Sequence, residues 1–280
     1  MNDQTKFDDP LRGVVAHCHR ILLTGAAGNL GTVMRERLTR YADIVRVSDI
    51  ANLGAEREGE EIVQCDLADG RAVDALVDGV DVIVHFGGVS VERPFEQILP
   101  ANILGTFNIY EAARRRGIRR IVFASSNHVT GCYEQSEGID ATVRPRPDGY
   151  YGVSKAFGEN LAQLYFDRYG IETVSLRIGS SFPEAKDRRM LVTWLGYDDL
   201  EQLLCRAMFV ADVNHTIVYG VSNNRDRWWD NRAAQHLGYS PVESSEQFRA
   251  RVESLPPLAE GDPAVRFQGG SFLAVGPFGD

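Results

Sequence analysis

Tyr151 and Lys155 are the residues whose types and spacing most directly suggest chemistry. They stand at the two ends of the pentapeptide Tyr-Gly-Val-Ser-Lys, and this spacing puts both side chains on the same face of a helix. A tyrosine, with a pKa of about 10, is a poor base at neutral pH, but a neighbouring ammonium favours the phenolate. The pair is suited to take a proton from an alcohol while hydride leaves its carbon. An ordinary surface pair has the same spacing.

Two further polar residues extend this constellation. Ser126 ends a predicted strand, and ligands of open parallel sheets bind at the carboxyl ends of the strands. We therefore expect its hydroxyl to hold the substrate oxygen beside Tyr151 and to polarise it. Asn102 begins a predicted helix. It is expected either to line the cofactor site and bind a water that relays protons to Lys155, or to serve only in capping or packing.

A glycine-rich segment, Thr-Gly-Ala-Ala-Gly-Asn-Leu-Gly, lies between the first predicted strand and the first predicted helix. The free N–H groups and the positive dipole end of a helix N-terminus attract a pyrophosphate, and missing side chains let the backbone approach it closely. A tight structural turn is the alternative, but the flanking strand and helix favour dinucleotide binding. The predicted contacts are Gly25, Gly28, Asn29, Leu30 and Gly31.

Asp49 ends the second predicted strand, where an acidic residue ordinarily binds the ribose hydroxyls of the adenosine. Its charge would repel a 2′-phosphate, so NAD is expected rather than NADP. Arg46 is predicted to face the other side of the sheet, because side chains alternate along a strand. Other cofactor contacts are expected where the third and fourth strands end, although ordinary turns are rich in the same residues: Asp66, Leu67, Phe86, Gly87 and Gly88.

The elements that must position these groups are short apolar runs alternating with helical patterns. This alternation predicts an α/β fold, a Rossmann-type doubly wound parallel sheet with a small C-terminal substrate-binding lobe. The predicted parts are an N-terminal extension at 1–19, a core at 20–180 and the lobe at 181–280. Strands are predicted at 20–24, 44–48, 61–65, 81–86, 120–124, 172–178 and 216–219, and helices at 28–40, 71–77, 101–116, 152–169, 198–209 and 244–254.

Composition limits the partners. The chain of 280 residues has a formal net charge of −9, whereas a nucleic-acid-binding protein ordinarily needs a basic face. No apolar run is long enough to predict a membrane span. Four widely spaced cysteines and the lack of an evident secretory signal favour reduced thiols and a cytoplasmic location. His17, Cys18 and His19 lack a second ligand pair at zinc spacing, so no metal is expected.

Taken together, the sequence resembles the extended short-chain dehydrogenases and, more narrowly, the uronate dehydrogenases. The general resemblance rests on TGAAGNLG, on NILGT at 102–106 and on Tyr151 with Lys155. The narrower one rests on CDLAD at 65–69, GGVSVERPFEQIL at 87–99, FASSNH at 123–128, RPDGYYGVSKAFGENLA at 146–162, LRIGSSFPE at 176–184, WWDN at 228–231 and VRFQGGSF at 265–272. It covers about residues 21–272, nearly the whole chain.

The resemblance implies oxidation of D-galacturonate and D-glucuronate at the anomeric carbon, with hydride transfer to NAD and an aldarolactone as first product. It makes Tyr151 the base, Lys155 its electrostatic support and Ser126 the hydroxyl partner. It also implies a homo-oligomer and a sugar pocket lined by Ser90, Asn127, His128 and Ser180, with Arg189 binding the carboxylate. Arg188 is adjacent, and residue chemistry alone does not choose between these two arginines.

Two other functions share parts of this pattern. A sugar-nucleotide epimerase or dehydratase uses the same glycine turn and Tyr/Lys pair, but about one hundred residues after Ser180 are few for holding a nucleotide. A non-catalytic dinucleotide-sensing protein would keep the turn without needing Tyr151. Cys132 and Tyr133 stand where relatives tend to carry two tyrosines, so substrate preference is less determined than reaction type.

Overall fold

The computed structural model describes residues 16–276 and 278. The strands are β1 (Cys18–Thr24), β2 (Ala42–Ser48), β3 (Glu60–Ile62), β4 (Val82–His85), β5 (Arg120–Ser126), β6 (Ile139–Asp140), β7 (Glu172–Ile178), β8 (His215–Gly220) and β9 (Trp229–Asp230). The α-helices are α1 (Asn29–Arg37), α2 (Gly70–Leu76), α3 (Phe95–Ile98), α4 (Gly105–Arg116), α5 (Tyr150–Tyr169), α6 (Met190–Thr193), α7 (Tyr197–Phe209), α8 (Arg249–Glu253) and α9 (Pro263–Arg266).

Seven strands form one sheet in the order β3-β2-β1-β4-β5-β7-β8. Every pairing within it is parallel. The chain runs outward from β1 in one direction and then returns to continue from β4 in the other. The strand order therefore reverses between β1 and β4, which is where ligands bind in such sheets. The predicted Rossmann-type doubly wound fold is confirmed.

Helices cover both faces of this sheet because its strands are apolar on both sides. Ile21 and Leu23 of β1 share one buried cluster with Met34 of α1 and Leu203 of α7. Leu22, between them, belongs to the opposite cluster with Ile109 of α4 and residues of α2 and α5. Alternate side chains of β1 thus belong to two hydrophobic cores, one on each face of the sheet. The carboxyl ends of the strands are left free to carry polar groups.

Pro100 does not precede a helix start, although a helix is predicted at 101–116. It lies inside a continuous helical stretch that runs from α3 through a π-helical segment, Leu99–Leu104, into α4. The N–H of Gly105 donates to the carbonyl of Pro100, five residues back. Proline supplies no N–H of its own, and a widened turn accommodates it without breaking the helix. This widened turn carries Asn102 toward the site.

The residues after Ser180 divide between two locations. β8 completes the main sheet, and α7 packs in the same apolar cluster as β1. The segments around α8 and α9 lie instead beside the carboxyl ends of the strands, and the two-residue strands β6 and β9 pair there. The boundary at 180 stays a prediction. The predicted extension at 1–19 falls mostly outside the described residues, and its last two residues begin β1.

Candidate active site

The glycine-rich turn joins β1 to α1 and leaves the helix N-terminus open. Gly25 has a φ of +71°, and a Cβ there would lie 2.6 Å from the backbone of Phe86. A Cβ on Gly31 would lie 2.0 Å from the carbonyl oxygen of Gly25. No side chain caps the start of α1, so its first N–H groups remain available for an anion. This turn fits the pyrophosphate of a dinucleotide.

Asp49, directly after β2, faces this turn. Its Oδ2 accepts from the N–H of Ala27 at 3.0 Å, and its Oδ1 accepts from Ala51. Arg46 donates instead to Glu61 and to the carbonyl oxygens of Leu76 and Asp78, at the end of α2. The predicted opposite placement of Arg46 is therefore confirmed. Arg46 is thus not available beside Asp49 to hold a 2′-phosphate.

A cavity of about 1330 Å³ runs along the carboxyl ends of the strands. It exceeds the usual volume of a site for one small ligand, about 300–1,000 Å³, and has room for a dinucleotide and a sugar together. All the predicted site residues but one line it: Gly25, Gly28, Asn29, Leu30, Gly31, Asp49, Asp66, Leu67, Phe86, Gly87, Gly88, Ser90, Ser126, Asn127, His128, Tyr151, Lys155, Ser180 and Arg189.

Asn102 is the exception. Its side-chain oxygen accepts from the N–H of Val89 at 2.7 Å, and its nitrogen donates to the carbonyl of Val89 and to the hydroxyl of Ser154, both at 2.9 Å. These contacts match the packing alternative rather than direct contact with a cofactor. The side chain joins the loop after Gly88 to Ser154 of α5, and Ser90 belongs to this loop.

Tyr151 and Lys155 lie buried on the first turns of α5. Burial raises the pKa of Tyr151 to about 12, although a hydrogen bond with Ser126 lowers it. Burial also lowers the pKa of Lys155 to about 8, and its ammonium donates to the carbonyl of Ala124 at 2.7 Å. The ammonium lies 5.6 Å from the centre of the Tyr151 ring. Phenol, ammonium and serine hydroxyl therefore form one cluster at the end of β5, as their spacing predicts.

His128 stands beside this cluster. Its Nδ1 lies 2.6 Å from Oδ2 of Asp148, and its ring stacks on Phe272 with centres 3.8 Å apart. Burial lowers the pKa of His128, against the opposing effect of Asp148, and this shift favours the neutral imidazole. Neither Asp148 nor Phe272 is recognisable from residue chemistry alone, because their contacts with His128 are made only in the folded chain.

Arg189 reaches the cavity from the residue before α6. Its Nε donates to the carbonyl of Gln268 at 2.6 Å, and its Nη1 to the hydroxyl of Ser180 at 3.2 Å. With the Asn127 amide turned to donate to the carbonyl of Ile178, its oxygen accepts from Nη2 at 2.7 Å. Burial lowers the pKa of this guanidinium. Within residues 16–276 and 278, no carboxylate lies within ion-pair distance of it.

Arg188 is used differently, although it also lines the cavity. Its guanidinium donates to the carbonyl oxygens of Glu253, Leu255 and Pro256, just after α8. These bonds tie the segment after α8 to the loop before α6. Geometry thus distinguishes the two neighbouring arginines. Arg188 binds backbone carbonyl groups just after α8, whereas Arg189 binds the side chain of Ser180, which also lines the cavity.

Glu92 is a further residue that the sequence did not reveal. Its side chain, 4% exposed, accepts from the N–H of Tyr150 at 2.8 Å and from the N–H of Tyr151 at 2.9 Å. It therefore caps α5 from the loop that carries Ser90. A cap is ordinarily sought just before the helix, so no local signal pointed to Glu92. In the part of the chain described, no cluster of acidic, histidine or cysteine side chains could hold a metal.

The chain is similar to known proteins in sequence and in structure. The NAD dependent epimerase/dehydratase family matches residues 21–195. A uronate dehydrogenase of Pseudomonas syringae pv. tomato is 62% identical over 263 residues, which is 94% of this chain and 96% of that protein. A glucuronic acid dehydrogenase from Chromohalobacter salexigens has a similar structure, with a TM-score of 0.91 and 51% identity over 92% of this chain and 97% of that one.

A mutated uronate dehydrogenase from Agrobacterium tumefaciens, solved in complex with NAD, has a TM-score of 0.91 and 50% identity. The similarity covers 94% of this chain and 99% of that one. The chain belongs to the NAD-dependent epimerase/dehydratase family and, within it, to the uronate dehydrogenases.

Proposed function

We propose that the protein oxidises hexuronates, D-galacturonate and D-glucuronate, at C1 to the aldarolactone with NAD as hydride acceptor. The observation that carries this proposal is Arg189. Its guanidinium is partly buried, points into the cavity and has no carboxylate beside it among the described residues. A guanidinium in this state is completed by a planar anion that accepts two parallel hydrogen bonds. The carboxylate of a uronic acid supplies such an anion.

Three side chains would have separate roles at the reacting carbon. Tyr151 takes the proton of the C1 hydroxyl as hydride leaves C1. Ser126 holds the same oxygen and Lys155 favours the phenolate by its charge. Bound NAD supplies the acceptor for the hydride. It would be held by the glycine turn, by Asp49 and by the strand-end residues Asp66, Leu67, Phe86, Gly87 and Gly88.

The sugar would lie between the reacting cluster and Arg189. Ser90, Asn127, His128 and Ser180 line this part of the cavity and offer hydroxyl, amide and imidazole groups to its hydroxyls. Ser180 and Asn127 also bind the guanidinium directly, so the carboxylate and the neighbouring hydroxyls would be held by one connected set. This connection supports recognition of an acidic sugar as a unit.

The test compares NADH formation from galacturonate, glucuronate and neutral galactose with the wild type and two matched variants. Arg189→Ala is expected to raise KM for both uronates about 100-fold, because ground-state binding is lost. It should leave the slow reaction with galactose unchanged. Arg188→Ala removes the same charge from the neighbouring residue and should change KM for uronates less than about threefold.

Three results would overturn the proposal. The first is no turnover of either acid by the wild type. The second is equal use of galactose, which would remove the role of the carboxylate. The third is an unchanged KM in Arg189→Ala with a raised KM in Arg188→Ala, which would transfer that role to the other arginine.

We further infer a homo-oligomer in the cytoplasm. Exposed apolar side chains lie on the neighbouring helices α4 and α5, among them Phe107 (42% exposed), Val153 (45%) and Leu164 (46%). We propose that these side chains form one apolar face and that a second copy of the chain covers it, because exposed apolar patches mark interfaces. No disulfide joins cysteines of the described chain, which favours a reducing compartment.

A further inference from the structure

We propose that Asp148 is a positioning residue that holds His128 in one tautomer, so that Nε2 accepts a hydrogen bond from a sugar hydroxyl. The inference rests on the proposed function for the identity of the sugar. It concerns a carboxylate that lies outside the reacting cluster and does not line the cavity.

The contact between the two residues is short and enclosed. Oδ2 of Asp148 lies 2.6 Å from Nδ1 of His128, and the Asp148 side chain is 0% exposed. A carboxylate only accepts hydrogen bonds, so Nδ1 must carry the proton. In the neutral imidazole the other nitrogen is then an acceptor. This assignment follows from the chemistry of the pair.

Two glycines pack directly against this carboxylate, and neither position has room for a side chain. A Cβ on Gly131 would lie 1.9 Å from Oδ2 of Asp148, and one on Gly269 would lie 1.8 Å from it. Two chain segments, one after β5 and one after α9, therefore close on the carboxylate at glycines. Phe272, from the second segment, stacks on the imidazole ring at 3.8 Å. The ring is thus held both in its plane and at Nδ1.

Stability alone does not explain this arrangement. Oδ1 of Asp148 is buried and has no hydrogen-bond partner. A buried carboxylate oxygen without a donor is costly, and a chain selected only for stability would not need the charge here. The arrangement is intelligible if the carboxylate serves to orient the imidazole, as carboxylates orient histidines in other sites.

The free nitrogen of His128 faces the cavity. No partner for Nε2 occurs among the described residues, and this atom is not among the buried atoms that lack one. Among the groups that line the sugar end, Arg189 only donates hydrogen bonds. A neutral imidazole acceptor next to it distinguishes a hydroxyl, which can donate, from an ether or a missing oxygen. The pair would therefore select the hydroxyl pattern of the sugar.

The first test reads the tautomer without using activity. In protein labelled with ¹⁵N at histidine, the two ring nitrogens of His128 should give a protonated, pyrrole-type signal for Nδ1 and an unprotonated, pyridine-type signal for Nε2. Loss of the signals in His128→Asn identifies them. A proton on Nε2, or on both nitrogens, would overturn the proposal. The Asp148→Asn variant, whose amide can also donate to Nδ1, should lose the exclusive Nδ1-protonated form.

The second test measures recognition with a uronate and its monodeoxy analogues. In the wild type, one analogue should lose about tenfold in kcat/KM through the missing bond to Nε2, which corresponds to about 1.4 kcal/mol. In Asp148→Asn, kcat/KM for the unmodified uronate should fall about tenfold. The ratio of kcat/KM for the uronate to kcat/KM for that deoxy analogue should then approach one. Asp262→Asn, the same change on another acid that lines the cavity, should keep the full penalty.

The outcomes separate this inference from the proposed function. If the wild type oxidises uronates but the penalty is the same in Asp148→Asn, Asp148 has no positioning role and the function stands. If the wild type oxidises no uronate, the function fails and the tautomer measurement alone decides the inference. If Asp148→Asn does not fold, the wild-type tautomer and the wild-type analogue series still decide it.

Discussion

Lys155 carries its charge in surroundings that oppose it. Burial lowers its pKa from 10.5 to about 8, which corresponds to a cost on the order of 3 kcal/mol for holding the charged form in the folded protein. The folded pKa is the lower one, so the unfolded chain binds the proton more tightly. This cost is fully present below pH 8. It disappears as the pH rises from 8 through 10.5.

Lys155→Met should therefore lower the activity and raise the stability of the protein. We expect kcat/KM to fall about 100-fold or more, because Tyr151 loses the charge that favours its phenolate. We expect the free energy of unfolding to rise by roughly 2 kcal/mol below pH 8, and this gain to shrink toward pH 10.5. Denaturant titrations across this range, with NADH formation measured in parallel, check both effects.

Lys186→Met is the matched control for this substitution. Lys186 is exposed and lies over the ring of Phe182 at 4.5 Å, so its loss should change neither activity nor the pH dependence of stability. A Lys155→Met protein that is less stable than the wild type at pH 6 would show that the lysine stabilises the fold there, contrary to the pKa argument.

At this scale the sequence revealed the residues whose chemistry is local. Tyr151, Lys155 and the glycines are marked by spacings within one turn of helix or one loop. No local spacing identifies Asp148 or Glu92. Asp148 contacts His128, 20 residues away in sequence, and Glu92 contacts Tyr150, 58 residues away. Residue chemistry did not distinguish Arg189 from Arg188, and the resemblance alone favoured Arg189. Their hydrogen bonds differ only in the folded chain, because residue types in a loop do not determine the directions of side chains.

At the scale of elements, α5 depends on a cap that comes from a distant loop. Gly149 precedes the helix in an extended conformation and supplies no side-chain cap. The carboxylate of Glu92 takes its place and binds two of the N–H groups that a helix start leaves free. A Cβ on Gly149 would lie 2.3 Å from this carboxylate. The cap thus links the loop of Ser90 to the helix of Tyr151.

Glu92→Gln should loosen this link. A glutamine presents one oxygen, so one of the two N–H groups faces an amide NH₂ instead of an acceptor. We expect a loss of about 1–2 kcal/mol in the free energy of unfolding. We also expect kcat to fall about tenfold, with the Kd for NAD unchanged because the glycine turn is untouched. Thermal unfolding, steady-state kinetics and NAD titration measure the three quantities.

Glu96→Gln, an exposed position on α3, is the control that should leave all three unchanged. Should Glu92→Gln lower stability while kcat stays at the wild-type value, Glu92 would be a structural cap only, with no influence on the position of Tyr151.

The elements themselves were predictable where pattern and packing agree. Most strands of the main sheet were recognised because they are buried on both faces and read as apolar runs. β3 was predicted at 61–65 but spans Glu60–Ile62, since this short half-buried strand begins with two glutamates and shows no apolar run. The turn around Pro100 was not predicted, because a proline is ordinarily found at a helix start. No residue pattern near it indicates a π-helical segment. Strands β6 and β9, of two residues each, are too short to show alternation.

At the scale of the whole molecule, the described chain closes its cavity by contacts between segments far apart in sequence. Gln268 is fully buried, and its side chain joins the carbonyl oxygens of Glu134 and Glu137 to the indole of Trp229. Its own carbonyl binds Arg189. The alternation of strands and helices could predict the sheet but not this closure, because it depends on polar pairs made across the finished fold.

The exposed apolar side chains of α4 and α5 take no part in these contacts of Gln268. Leu164→Glu and Phe107→Glu each place a charge on that face, and burying an unpaired charge in an interface is costly. We expect each variant to shift the sedimentation coefficient from that of an oligomer to that of the 31.1 kDa chain. Val242→Glu, at a site 75% exposed elsewhere on the surface, should leave it unchanged. A wild type that sediments as a monomer would remove the proposed interface. An oligomer that survives both substitutions would assign the contact to another surface.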